Sequence, residues 1–223
     1  MLTTPLCVIA FGPAMGIGIL LPLLCAGDAF SMWHYWRKWE IKNLRLMIFG
    51  IVIGVGIGAQ LFRRFSPAQL NFIIGLMAVL FVLFQFVKHI LSAAPTSFKP
   101  RQPYGWLAGI GAGLTSTFAH SAGPVVTAFL LPQQMPKEIY TGTNVLIFTC
   151  INWIKVPFFV YAGMIQAPTL RVSAVFFPLV PLGVWLGVWL NRNIPDKWFP
   201  HLVYALTLAT GIQLIRTAWP SLP

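Results

Sequence analysis

Apolar residues in this chain come in long unbroken runs, and polar residues come in short clusters between them. Runs of about 18 or more apolar residues read as membrane-spanning helices. Leu2 to Phe11 is apolar but too short to span, and Gly12-Pro13 breaks it. Ile17 to Trp33 is the first span and carries Asp28 inside it. Leu46 to Phe62 spans next, after a loop with Arg37, Lys38, Lys42 and Arg45, and Arg63-Arg64 ends it. Pro67 opens a third span, Ala68 to Val87. Past the Pro-containing loop Lys88 to Arg101, further spans are expected at Ile139 to Tyr161, Val172 to Leu190 and, opened by Pro195, Trp198 to Arg216.

One run does not fit this scheme. Gln102 to Pro136 is 35 residues without Lys, Arg, Asp or Glu. As one helix it would be about 53 Å long, against about 30 Å of bilayer hydrocarbon. Thr115, Ser116, Thr117, His120, Ser121, Gly123 and Pro124 sit in its middle. The run therefore predicts two half-helices, Trp106 to Ala119 and Val125 to Leu131, meeting at a polar break. Irregular backbone at membrane depth is tolerated where protein or a watery cavity covers it, and such breaks line substrate sites in transporters.

Composition agrees with the pattern: 57% of residues are hydrophobic, 9% are charged, and mean hydropathy is +0.78. The fold class is an all-α integral membrane protein with the lipid bilayer as its first partner. The net charge of +11 would suggest nucleic acid in a soluble protein. Here the basic residues sit in short loops between spans, where topology accounts for them, and no nucleic-acid partner is expected. Trp33, Trp36, Trp39, Trp106, Trp198 and Trp219 lie near the ends of runs, as an interfacial aromatic belt requires. The first 27 residues lack Lys and Arg, so no secretory signal is read there. Cys7, Cys25 and Cys150 lie in apolar segments without metal-ligand or disulfide spacing. With no P-loop, nucleophile elbow, metalloprotease pair or paired carboxylates, the chain is not read as an enzyme, and no cofactor or metal is expected.

The two halves are alike. Pro67, Gln85 and Lys88 recur as Pro195, Gln213 and Arg216 at an offset of 128, Leu44-Arg45 recurs as Leu170-Arg171, and Gly54 and Gly58 recur as Gly183 and Gly187. Residues 1–101 form a first repeat and 102–223 a second, together one transmembrane domain of about seven membrane segments. The first repeat lacks a counterpart of Trp106 to Gly123, so its broken helix is incomplete. If the 102–136 run enters and leaves on one side, Arg37, Lys38, Lys42, Arg45, Lys88, Lys99, Arg101, Lys137, Arg192 and Lys197 share one face, against Arg63, Arg64, Arg171 and Arg216. That asymmetry favours a re-entrant break and inverted repeats. The stripe Gly50, Gly54, Gly58 predicts close helix packing, within the chain or in a homodimer.

Lys155 is the sharpest chemical feature, a cation in mid-span with Asn152 one turn earlier on the same face. It either faces a cavity and attracts an anion, or snorkels, or pairs with Asp28. His120, Ser121, Thr115 and Gly123 at the break are candidates for substrate oxygens. Thr143 and Asn144 either cap a helix or line the cavity. Asp28 and His120 are candidates for proton coupling, with charge neutralisation of Lys155 an equal reading for Asp28. Gln60 and Gln85 are expected to bond between helices.

The block TSTFAHSAGP at Thr115–Pro124, then Leu130-Leu131-Pro132, Gly142-Thr143 and NWIKVP at Asn152–Pro157, resembles the second-half signature of the TauE/SafE sulfite exporter family. The run Leu20 to Lys38 resembles that family's first-half segment. The resemblance implies a multi-pass carrier of the bacterial inner membrane for small sulfur-containing or carboxylate anions such as sulfite. It assigns Thr115, His120, Gly123, Asn152 and Lys155 to the substrate region and Asp28 to the first-half counterpart. Two other readings are a passive anion channel and a non-transporting membrane subunit or assembly factor.

Overall fold

The structure, a computed structural model, describes residues 2–91, 101–182 and 198–221. Helix α1 (Thr3–Phe11) stops at Gly12, whose φ of +80° suits glycine, and Pro13 opens α2 (Pro13–His34). Helices α3 (Ile41–Arg64) and α4 (Pro67–Leu91) complete the first half. The second half holds α5 (Gln102–Ala119), α6 (Gly123–Leu130), α7 (Lys137–Tyr161), α8 (Ala167–Phe176) and α9 (Trp198–Ala218). No strand occurs among the described residues. Among the described residues four helical stretches are long and apolar enough to cross a membrane: Pro13–His34, Ile41–Arg64, Pro67–Gln85 and Lys137–Tyr161. Large apolar side chains face outward, among them Trp33, Phe49, Leu107 and Val175, as a lipid-bathed surface requires.

The bundle is organised by a seam of glycines. Gly50 and Gly54 of α3 lie on the Trp106 and Ile110 carbonyls of α5, and Gly58 lies on the Thr117 side chain. In return Gly105, Gly109 and Gly113 of α5 lie on the backbone of α3 at Leu46, Met47 and Ile51. With no side chains between them the backbones approach closely, so the stripe read in α3 is taken up by α5 inside the chain. A second close pair joins α4 and α9, where Gly75 meets the Gly211 carbonyl and Gln85 Nε2 donates to the Tyr204 hydroxyl at 3.1 Å. Two apolar clusters flank the break. One gathers Ile17, Leu21, Phe118, Phe159 and Met164, the other Met47, Ile51, Val126, Leu130 and Ile147.

Three expectations change. The run from Val172 is not continuous: α8 ends at Phe176 and a turn follows at Phe177-Pro178. Pro178 has no N–H for the Ala174 carbonyl, and Phe177 N takes that carbonyl instead at 3.3 Å. Second, α3 begins at Ile41 and not Leu46, so Lys42 and Arg45 belong to its first turns. Third, Gln60 is exposed on α3 and bonds to no other helix among the described residues. The repeat marks at Gly183, Gly187 and Pro195, and the charges of Arg192, Lys197 and Lys99, lie outside the described residues.

Candidate functional site

The break begins where α5 runs out at Ala119. His120 adopts the left-handed conformation, φ 49° and ψ 35°. Its N–H bonds the Ser116 carbonyl at 3.0 Å, and Ser121 N–H reaches back to the Thr115 carbonyl at 3.2 Å. That pair of bonds closes the helix as a glycine normally would, and histidine is among the few side chains enriched in this region. Ala122 follows in helical geometry, and α6 starts with Pro124 in its first turn.

Two contacts over-determine His120. Its Nε2 lies 3.1 Å from the Ile17 carbonyl of α2, and its Nδ1 lies 2.8 Å from Lys155 Nζ of α7. A carbonyl only accepts, so Nε2 carries the proton and Nδ1 offers its lone pair to the ammonium. Lys155 is fully buried. Its other contacts are Ser116 Oγ at 2.9 Å and the Ser116 carbonyl at 3.4 Å, with the Phe159 ring centre 5.6 Å away. Three ammonium hydrogens thus meet three acceptors at the C-terminal end of α5, the end where a helix concentrates partial negative charge. Among the described residues no carboxylate lies within 4.0 Å of Lys155. The Asp28 carboxylate instead accepts from Asn152 Nδ2 at 2.8 Å.

A cavity of about 280 Å³ opens beside this knot, between the second half of α2, the first half of α7 and the end of α5. Its polar wall is Asp28, Ser31, Ser116, His120, Thr141, Asn144 and Asn152, and Leu24, Val145 and Phe148 complete it. The cavity lies between the break and the end of the bundle that carries Arg37, Lys38 and Lys137. At that end the loop 35–40 is clamped to the start of α7. Gly142 lies on the Lys38 carbonyl, Lys38 pairs with Glu138 at 3.3 Å, and Thr143 Oγ1 accepts the Glu40 N–H at 3.0 Å.

The sequence-predicted residues therefore separate. Asp28, His120, Asn144 and Asn152 share the cavity wall. Lys155 stands behind Ser116 and His120 and not in the wall itself. Thr115 faces away: its hydroxyl donates to the Gly111 carbonyl at 2.8 Å, and with Ser121 it lines a second cavity of about 210 Å³ against Phe81 and Phe84 of α4. Gly123 opens α6 and is not in the wall. Thr143 is buried in the clamp, with its hydroxyl donating to the Ile139 carbonyl at 2.6 Å. Ser31 and Thr141 were missed. Their spacing held the signal, since Ser31 follows Asp28 by three positions, and Thr141, Asn144, Phe148 and Asn152 follow the three-and-four spacing of one helix face. Nothing in the spacing announced the Ile17 carbonyl.

A multi-pass helical bundle, with a broken helix closing a polar cavity at a buried cation, defines the class as a membrane transport protein. The family model for sulfite exporter TauE/SafE matches residues 1–214, and the chain belongs to that family. No curated protein and no solved structure matches the chain.

Proposed function

We propose that this chain is a secondary carrier that exports small sulfur oxyanions, sulfite or an organosulfonate, across a bacterial inner membrane. The observation that carries this reading is the cavity that ends on Ser116 and His120 with the Lys155 ammonium directly behind them. An oxyanion at the cavity floor replaces the Ser116 hydroxyl on one ammonium hydrogen and gains a charge-assisted bond. Family membership supports the substrate class. Family membership also supports the direction, and the cavity marks the side from which a solute would enter. It lies on the side of the Arg37, Lys38 and Lys137 end, and basic loops stay in the cytoplasm. A solute therefore enters this conformer from inside. The architecture we propose is about seven membrane segments in two inverted repeats. The matching prolines and glycines of the two halves support it, as does the packing of α6 against α5, where Gly111 meets Val125.

Counterflow of radiolabelled sulfite into liposomes tests the reading, with Lys155→Met beside the wild-type chain. Accumulation by the wild type against a gradient, lost in the folded variant, is the expected result. Full transport by the variant removes Lys155 from the site, and flux that only dissipates gradients makes the protein a channel.

A further inference from the structure

Five donors of the cavity wall already serve the protein, which leaves the Ser116 hydroxyl and the second N–H of each wall amide for an anion. Asn152 Nδ2 serves Asp28 at 2.8 Å, Asn144 Nδ2 serves the Tyr140 carbonyl at 3.0 Å, and the Thr141 hydroxyl serves the Lys137 carbonyl at 2.8 Å. The Ser31 hydroxyl serves the Gly27 carbonyl at 3.0 Å, and His120 Nε2 serves Ile17. Beside these donors the wall also shows an incoming anion a carboxylate, to which one N–H of the Asn152 amide is already bound. An anion and an ionised Asp28 would be like charges in one small cavity, disputing the same amide and the same nearby ammonium.

We propose that Asp28 is the cavity's own competitor for the transported anion, so that the anion binds only as Asp28 takes up one proton. The inference rests on the carrier reading above. The proton comes from water on the side to which the cavity opens and forms an O–H bond on the carboxylate. The neutral carboxyl becomes a weaker acceptor, the Asn152 N–H turns to the anion, and release reverses each step. A monovalent anion then moves with one proton and the cycle is electroneutral, so export follows the anion's own outward gradient and is not driven by the inward proton gradient. Other titratable groups surround Asp28 without replacing it. Cys25 is on its own helix, Cys150 and Lys155 are on α7, and His120 is at the end of α5. Helices α1, α4 and α8 add no acid or base to the cavity wall among the described residues.

The test uses the full chain in liposomes with methanesulfonate, a strong-acid anion whose charge is constant across the range, and a trapped pH dye. In the wild type, apparent affinity falls as pH rises, by at most about tenfold per pH unit for one linked proton, and inward flux acidifies the lumen by one proton per anion. Asp28→Asn binds more tightly than wild type at the alkaline end, loses the pH slope and moves no protons. Wild-type flux without proton movement, or a pH slope retained in Asp28→Asn, overturns the inference and leaves the carrier standing. So does a folded Asp28→Asn that cannot bind at all, since Asp28 is then a ligand. The dye measurement needs no variant, so it decides the question even if Asp28→Asn does not fold. Absence of any transport of methanesulfonate or sulfite by the folded wild type overturns the carrier reading itself.

Discussion

A single methyl at Gly109 tests whether the glycine seam positions the site. An added Cβ there overlaps the Met47 carbonyl and lies 2.9 Å from Ile51 N and 3.0 Å from Gly50 Cα, all of them backbone atoms that cannot rotate aside. A carbon meets a carbonyl oxygen at about 3.3 Å, so α3 and α5 must part by about 1 Å. A gap of that size forfeits about a quarter to a half of each dispersion contact along the seam. Overpacking of this kind costs about 1–3 kcal/mol and alanine's better helix propensity returns about 1 kcal/mol, leaving Gly109→Ala up to about 2 kcal/mol less stable than wild type and about 1–3 kcal/mol less stable than a glycine-to-alanine change without the overlap. The control is Gly111→Ala on the same helix, whose Cβ meets only the Val125 methyls at 3.3 and 3.8 Å. With the same propensity gain and little overlap, it should be as stable as the wild type or up to about 1 kcal/mol more stable. Equilibrium unfolding of both variants in mixed micelles measures the difference, and substrate binding shows whether Ser116 has moved with α5. If Gly109→Ala is no less stable than Gly111→Ala, the seam is not what sets the distance between α3 and α5.

Two further outcomes follow from the clamp at the basic end. Thr143→Val keeps the shape but strands the Glu40 N–H, and should cost about 1–3 kcal/mol, with faster hydrogen exchange at the Glu40 amide as the local sign. Lys38→Ala removes an ion pair whose side chains are 48% and 72% exposed, so unfolding should shift by no more than about 1 kcal/mol, and sulfite counterflow should not change.

The break itself was legible because its Gly, Pro and hydroxyl cluster breaks the period of an apolar run that is too long for one span. The predicted half-helix ends at Ala119 and Leu131 fall within one residue of the observed ends at Ala119 and Leu130. The Asn152–Lys155 spacing was legible for the same local reason. What each side chain faces was not. Thr115 and Ser116 are neighbours about 100° apart on the helix, so only one of them can turn to the cavity, and the glycine seam on α3 decides which. Lys155 turned to the end of α5 because a buried ammonium needs three acceptors, and the α5 terminus with His120 supplies them, a fact of packing that no single-helix pattern contains. The turn at Pro178 was in the sequence but was outweighed by the hydropathy of the run around it.

The seam also divides the labour of motion. Helices α3 and α5 touch backbone to backbone along Gly50, Gly54, Gly105, Gly109 and Gly113, with few rotamers to re-sort, which favours their moving as one body. In the carrier proposed above, exposing the cavity to the opposite side would fall to α2 and α7, which share its walls. The first turn of α2 is in turn held on α1, where Gly16 lies on the Cys7 carbonyl. The bond from His120 to the Ile17 carbonyl is the link that such a movement would have to break or carry along.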